Sequence, residues 1–537
     1  MIFALLVTSV VIIACILTNK ITSRAGIPAL LAFIVLGMFF GSDGLMKIPF
    51  ENFAFAEQIC SVALIFIMFY GGFGTKWRAA RPVAVQSVLL SSVGVVMTAG
   101  LTGAFAHLVL KMNLLEGLLL GAVLGSTDAA SVFSILRSKN LNLKYNTASL
   151  LELESGSNDP CAYMMTVILL SLIQGNGAGG SVVYLVFAQV FFGALFGVII
   201  AVAAGWFLRH VQVVTEGFDA AFVIAVALLS YALPQAVGGN GYLSAYLVGI
   251  ILGNQKIPHK ASLVNFFDGI TSLLQMLIFF LLGLLAFPSR MPGVLLPAAA
   301  IALFLTFIGR PLVTWLILKP FHAPVAQQLI VSWAGLRGAA SIVFAVMVTV
   351  SGAGLGRDLF HMVFCVVLFS IGVQGSLLPW LSGKLNMIDT DGCVLKTFND
   401  YHEEREIQFI QLEMKEGHPW IGREVKEVKL PPDTLLVMIL RGKETLIPKG
   451  NTGIELNDTV VLSANAYEDD STICLTEITV DKGHEWCDKQ VSELELPEDT
   501  LIIMIRRGGQ AMIPDGMTGI REGDELVVNE NRRVGAV

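Results

Sequence analysis

Up to about residue 384 the apolar residues come in long, nearly unbroken blocks. They lack both the alternation of a half-buried strand and the single stripe of a surface helix. Roughly thirteen blocks can be drawn, near 2–18, 27–41, 54–73, 83–110, 114–136, 147–174, 181–208, 218–236, 240–253, 262–287, 293–318, 325–350 and 359–383. Each predicts a membrane-spanning helix, although several are shorter than the roughly 20 residues of a straight span. The first block has no basic stretch before it and no cleavage-like site after it, so it reads as a span rather than a leader. Beyond 384 the pattern changes to short β-rich runs separated by turns, such as Leu435–Leu440 and Thr459–Leu462.

The tail repeats itself without a gap. Residues 417–464 and 483–530 share roughly 22 identities, and each carries a Pro-(Pro/Glu)-Asp-Thr turn, an apolar run, an Arg-Gly turn and an Ile-Pro-x-Gly. This predicts one small α+β unit made twice, the two packing together because about 50 residues bury little core alone. The expected organisation is a membrane domain at 1–384, a linker at 385–406, and tail units at 407–467 and 468–537. The linker is too short for a dinucleotide fold and has no G-x-G-x-x-G after a strand, so no cofactor is expected there.

Composition sharpens the division. The chain is 55% hydrophobic and 14% charged, with mean hydropathy +0.71, against about 25% charged in a soluble domain. The net charge of −7 conceals about +7 before residue 385 and about −14 after it. Such an acidic tail argues against a nucleic-acid partner. With the N-terminus outside, the inner loops hold about 13 basic residues and the outer loops about 4, which directs the tail to the cytoplasm. Seven scattered cysteines without a C-x-x-C predict neither a disulfide framework nor a zinc site.

Charges inside the apolar blocks are costly and therefore functional candidates. Four stand out: Asp128, Glu154, Asp159 and Arg337, with Glu57, Asp268 and Arg310 nearer block ends. Asp128 follows Gly125-Ser126-Thr127, a run that favours a mid-membrane break whose freed carbonyls face a cation. In Leu150–Met165 the pairs Glu154/Asn158 and Ser155/Asp159 are each four apart, which puts hard oxygen donors on one helix face. Pro160 frees a further carbonyl. Arg337, flanked by glycines, needs a buried anion; Glu154 is the expected partner and Asp128 the alternative. The Asp128 and Arg337 blocks are about seven spans apart, an antiparallel relation suited to inverted repeats with paired broken helices.

Thr127-Asp128, Glu154-Ser155-Gly156-Ser157-Asn158-Asp159 and Gly335-Leu336-Arg337-Gly338-Ala339, in this order over residues 1–384, resemble the monovalent cation:proton antiporter family, specifically its electroneutral Na+ or K+/H+ exchangers. The resemblance implies an all-α polytopic domain of about 13 helices with crossed broken helices, a homodimer, and a core that moves like an elevator. It makes Asp159 the carboxylate that binds proton and cation in turn. Asn158 becomes the mark of one-for-one exchange, Thr127, Asp128 and Ser155 supporting ligands, and Glu154–Arg337 a structural pair. One departure is Phe69-Tyr70-Gly71-Gly72, where many relatives carry an acid before the glycine pair. The tail repeats resemble the TrkA-C regulatory domain, which accompanies potassium transporters and in some families binds cyclic di-AMP; Arg441, Arg506 and Arg507 are candidate contacts for such an anion, with a solvated turn as the preferred reading. The tail type favours K+ over Na+ as the exchanged ion. A tail-gated potassium channel is the rival reading, but no TVGYG-like filter is present.

Overall fold

The computed structural model describes residues 2–25, 29–139, 141, 143–175, 179–210, 218–255, 257, 260–388, 407–416, 418–430, 434–442, 444–465, 475–480, 484–494, 496, 500–507, 510–512 and 514–530. It divides into two compact units, Met1–His402 and Glu403–Val537. The expected linker falls almost wholly outside the described residues.

The first unit is all helical. Among the described residues, seven helices are long and apolar enough to cross a membrane: Phe53–Gly74, Arg81–Leu108, Val182–His210, Phe218–Ala236, Ser262–Leu285, Pro288–Phe321 and Leu359–Lys384. Shorter apolar helices, among them Ala29–Phe40, Leu114–Val123, Gly241–Gly253 and Ala339–Val350, fill the remaining expected spans. Thr147–Ile173 has the length of a span at 27 residues but carries the acidic cluster.

These helices pack as two groups. Phe53–Gly74 lies against Gly241–Gly253 and Lys260–Leu285, with Gly179–His210 and Phe218–Ala236 alongside. In the other group Thr147–Ile173 packs on Ala84–Ser91 and Leu114–Val123, and Leu359–Phe369 packs on Met291–Phe304 and Ala339–Val350. The groups meet where Ala339–Val350 touches Phe53–Gly74 and where Gly241–Gly253 touches Thr147–Ile173. Small residues allow the close crossings within the first group. A Cβ on Gly72 would stand 2.3 Å from the Tyr246 carbonyl oxygen, and one on Gly249 2.1 Å from that of Phe69. The glycine at position 72 is thus a packing requirement of its helix pair.

Each tail repeat forms a four-stranded antiparallel sheet. The strands are β1 Ile407–Glu413, β2 Thr434–Arg441, β3 Glu444–Leu446 and β4 Thr459–Asn465, then β5 Leu475–Thr479, β6 Thr500–Arg507, β7 Gln510–Met512 and β8 Glu525–Glu530. The orders are β1-β4-β2-β3 and β5-β8-β6-β7. The helical share of each, among the described residues, is one 3-10 turn, Val425–Glu427 and Val491–Glu493. Each sheet has its own core, Ile439, Ile454 and Val460 in one and Ile505, Ile520 and Leu526 in the other.

The tail arginines are engaged inside their own repeats. Arg441 grips Asp458 with two hydrogen bonds of 2.9 and 2.8 Å, and Arg507 grips Asp524 with bonds of 2.8 and 2.7 Å. Arg506 pairs with Glu525 at 3.2 Å. Two of these arginines thus tie β2 and β6 to the aspartates just before β4 and β8. The Arg507 hydrogen bonds hold the Asp524 carboxyl below its usual range. Burial pushes Asp458 up, but the Arg441 and Glu455 hydrogen bonds outweigh it and hold that carboxyl low as well. A depressed carboxyl stabilises the fold above its unfolded pKa of about 3.9 and loses that contribution as pH falls through its folded value. Arg507→Gln is expected to cost about 1.5–3 kcal/mol at pH 7. Hydrogen exchange in β6 and β8 should accelerate accordingly while β1–β4 stay unchanged, and the difference from the parent should shrink below about pH 4.

Candidate ion-binding site

Two helices are interrupted at mid-span. Leu114–Val123 and Ala129–Ser138 are separated by Leu124–Asp128, and Val325–Trp333 and Ala339–Val350 by Ala334–Gly338. Gly125 lies in the turn that opens the first break; Gly335 and Gly338 flank Leu336 and Arg337 in the second. The breaks touch each other. The Asp128 N–H donates to the Leu336 carbonyl at 2.7 Å, and Arg337 Nη1 donates to the Ser126 carbonyl at 3.0 Å. Crossed broken helices are therefore a feature of this fold, as the sequence suggested.

The glycines make that crossing possible. A Cβ on Gly338 would lie 2.4 Å from Asp128 Oδ2, and one on Gly335 2.7 Å from Arg310 Nε. Gly338→Ala is thus expected to force the two breaks apart. Exchange should fall at least tenfold with the protein still folded in the membrane, measured as transport per unit of purified protein.

Thr147–Ile173 brings the acidic cluster to the first break, running through Pro160 without ending. Asp159, only 5% exposed, accepts a hydrogen bond from the Ser126 hydroxyl. Asn158 is fully buried; its amide Nδ2 donates to Thr127 Oγ1 at 2.5 Å, and its Oδ1 has no partner among the described residues. Ser155 accepts from the Ala129 N–H at 2.9 Å and donates to the Thr127 carbonyl at 2.8 Å, so it clasps the break. Asp128 receives the Ser131 N–H at 3.3 Å and the Ser131 hydroxyl at 2.5 Å, the geometry of a cap on the helix it precedes. Thr127, Asp128, Ser155, Asn158 and Asp159 are thus gathered in one place. Ser126, a donor to Asp159 itself, is an addition the sequence pattern did not single out.

The expected Glu154–Arg337 pair does not form. Glu154, 1% exposed, is bonded by Arg310 Nη2 from the span Pro288–Phe321. A π-turn at Leu305–Gly309 immediately precedes Arg310, next to Pro311, which lacks the N–H that would continue a regular α-ladder. Arg337 is used differently. Its backbone N–H donates to Ser370 Oγ at 3.0 Å and its side chain fastens the opposite break. A cavity of about 10 Å³, lined in part by Arg310, Ser332, Gly335, Arg337, Ser370 and Gln374, lies beside them. It has room for about one water, a natural partner for Arg310 Nε and Ser332 Oγ, which have none among the described residues.

At the departure from the usual pattern, Tyr70 OH donates to Asp268 Oδ1 at 3.2 Å. A carboxylate does stand beside position 70, but it comes from another helix. No group of three or more His, Cys, Asp or Glu side chains suited to a resident metal occurs among the described residues. The five described cysteines are free thiols; positions 393 and 474 lie outside the described residues.

Two crossed breaks around a buried aspartate, set in a bundle of apolar helices, define the class as a membrane transporter for a small cation. The chain belongs to the sodium/hydrogen exchanger family, whose transmembrane model matches residues 8–384, and its tail matches the TrkA-C domain at 409–466 and 475–529. It is 35% identical over 466 residues to the K(+)/H(+) antiporter NhaP of Alkalimonas amylolytica, covering 85% of this chain and 80% of that one. It is 33% identical over 449 residues to the K(+)/H(+) antiporter NhaP2 of Shewanella sp. (strain ANA-3), covering 82% and 78%. Among solved structures, the sodium proton antiporter MjNhaP1 of Methanocaldococcus jannaschii matches with a TM-score of 0.63 at 22% identity, over 72% of this chain and 99% of that one. That last likeness is one of fold.

Proposed function

We propose that this protein exchanges K+ for H+ across a membrane, one for one, with Asp159 as the group for which the two ions compete. The observation that carries this reading is the burial of Asp159 where two broken helices cross, beside the hydroxyl of Ser126 and the amide of Asn158. An ionised carboxylate in that position demands a counter-charge. A dehydrated monovalent cation supplies it, with oxygen from Ser126, Thr127 and Asn158 replacing part of its water. A proton supplies it equally well and displaces the cation. If only the neutralised states change the side to which Asp159 opens, the two fluxes are coupled without covalent chemistry. Glu154 and Arg310 cancel one another, while Arg337 and Asp128 hold the breaks in register, so Asp159 remains the exchangeable charge. The K+/H+ antiporters cited above, similar over most of their length, favour K+ over Na+.

The rest of the reading is architectural. The N-terminus lies outside and the tail in the cytoplasm of the cell membrane, with the membrane domain at 1–384 and tail units at 407–467 and 468–537. Two copies form a homodimer, and one helix group moves against the other between inward- and outward-open states. The tail regulates the exchange. A small nucleotide of the cyclic di-AMP kind is its ligand class, bound away from Arg441 and Arg507. Ion selectivity is tested by titrating K+ and Na+ against proton movement in liposomes: half-saturation at lower K+ than Na+ supports the assignment, and a response to Na+ alone reverses it.

A further inference from the structure

The second break is clamped at both ends by one stretch of a neighbouring helix. Leu359–Lys384 loosens into a π-turn at Ser370–Gly375, a distortion that recurs at functional sites. The indole Nε1–H of Trp333, the residue that ends Val325–Trp333 just before the break, donates to the Gln374 carbonyl at 3.0 Å. Within the break, the Arg337 N–H donates to Ser370 Oγ at 3.0 Å, and the Ser370 hydroxyl donates in turn to Gln374 Oε1 at 2.7 Å. Both side chains of the π-turn are buried.

Each bond has a physical reason. The Arg337 amide sits where the helix is interrupted, so no carbonyl one turn back meets it, and an unpaired N–H buried there would keep its full desolvation cost. A serine hydroxyl can donate and accept. Because Gln374 Oε1 takes its proton, the Ser370 oxygen turns its lone pairs to Arg337. From Arg337 the line continues through hydrogen bonds alone: Nη1 donates to the Ser126 carbonyl at 3.0 Å, and the Ser126 hydroxyl donates to Asp159. Every member belongs to the helix group that holds Asp159, so the line does not cross the seam between the groups.

We propose that Ser370 and Gln374 are positioning residues of the exchange: they hold Arg337, and through it Ser126, where the Ser126 hydroxyl meets Asp159. The inference rests on the antiport reading and deepens it. A hydrogen bond donated to a carboxylate favours its ionised form, the form that K+ needs, over its protonated form. Letting Ser126 drift therefore tilts the competition at Asp159 towards the proton. The charged and titratable groups around the line are Asp128 on the first break, Arg310 and Glu154, which pair with each other, and Tyr246 from Gly241–Gly253. None of these bonds Ser370 or Gln374 among the described residues, so a change at either one reaches Asp159 by way of Arg337.

The test measures K+-evoked proton movement by the full-length protein in liposomes, against K+ concentration and against pH, per unit of folded purified protein. Ser370→Ala is expected to raise the half-saturating K+ about fivefold, the contribution of one net hydrogen bond, and by a larger factor than it lowers the maximal rate. Its pH profile should move to more alkaline pH by about 0.7 unit, the same factor expressed in protons. Gln374→Met, which fills similar space and cannot take the Ser370 proton, should move both readouts in the same direction. Ser370→Thr, which keeps the hydroxyl, should restore them. Parental half-saturation and pH profile in Ser370→Ala and Gln374→Met overturn the proposal, and so does a fall in maximal rate alone with both readouts unmoved. Should Ser370→Ala not be recovered folded, Gln374→Met decides on the same two readouts. A parent protein that moves no protons in response to K+ or Na+ is a separate result, and sinks the antiport reading instead.

Discussion

Asp159→Asn is expected to reduce cation-evoked proton movement to the level of protein-free liposomes without loss of protein from the membrane. The asparagine side chain has nearly the same shape and its Oδ1 can still accept the Ser126 hydroxyl, so the hydrogen bond that seats residue 159 survives. What disappears is the ionisable charge. An amide neither binds a proton in this pH range nor attracts a cation strongly enough to repay dehydration in a buried site. The two ions therefore lose the group for which they compete. Purified variant and parent should melt at similar temperatures and elute together on size exclusion, which separates loss of chemistry from loss of fold. Residual coupled exchange in Asp159→Asn would transfer the role to Asp128, the other carboxylate at the crossing.

Removing Arg310 should have the largest effect on stability. Glu154 is buried and Arg310 is its one ion-pair partner among the described residues. Its second oxygen, Oε2, already lacks a hydrogen bond among them. Arg310→Gln leaves that carboxylate without a counter-charge, a change that costs about 3–5 kcal/mol where buried pairs are broken. The expected result is a sharp fall in folded, extractable protein and a lower melting temperature. The double variant Arg310→Gln with Glu154→Gln should recover most of the loss, because it removes the stranded charge as well as its partner, a coupling that a double-mutant cycle measures directly. Arg337→Gln should behave differently. Its side chain bonds a backbone carbonyl rather than Glu154, so exchange should suffer more than stability.

The contrast between the two arginines shows what the sequence could and could not say. The broken helices were legible because Gly125, Gly335 and Gly338 interrupt apolar blocks and an ionisable residue sits at each break. The alignment of Glu154, Asn158 and Asp159 followed from helical spacing, and the tail's division into two like sheets followed from an ungapped repeat. The partner of Glu154 was not legible. Arg310 and Arg337 both lie in apolar surroundings, and which one reaches the carboxylate is set by tertiary packing, with a π-turn just before Arg310 that periodicity does not foretell. Ser126 escaped for a similar reason: once a helix unwinds, periodicity no longer tells which of two adjacent hydroxyls faces the acid. Tyr70 shows the limit of matching position by position, since the carboxylate that stands beside it belongs to Asp268, on another helix far along the chain.

The central claim is that ion and proton movements are coupled at one carboxylate. The most direct measurement places the full-length protein in liposomes holding an internal pH indicator, clamps the membrane potential at zero and at a large imposed value, and adds K+ outside. The account predicts proton movement that K+ evokes, that proceeds equally at both potentials, and that Asp159→Asn abolishes. Proton movement that follows the imposed voltage, or K+ flux without any proton countermovement, would contradict electroneutral exchange and return the fold to the channel reading.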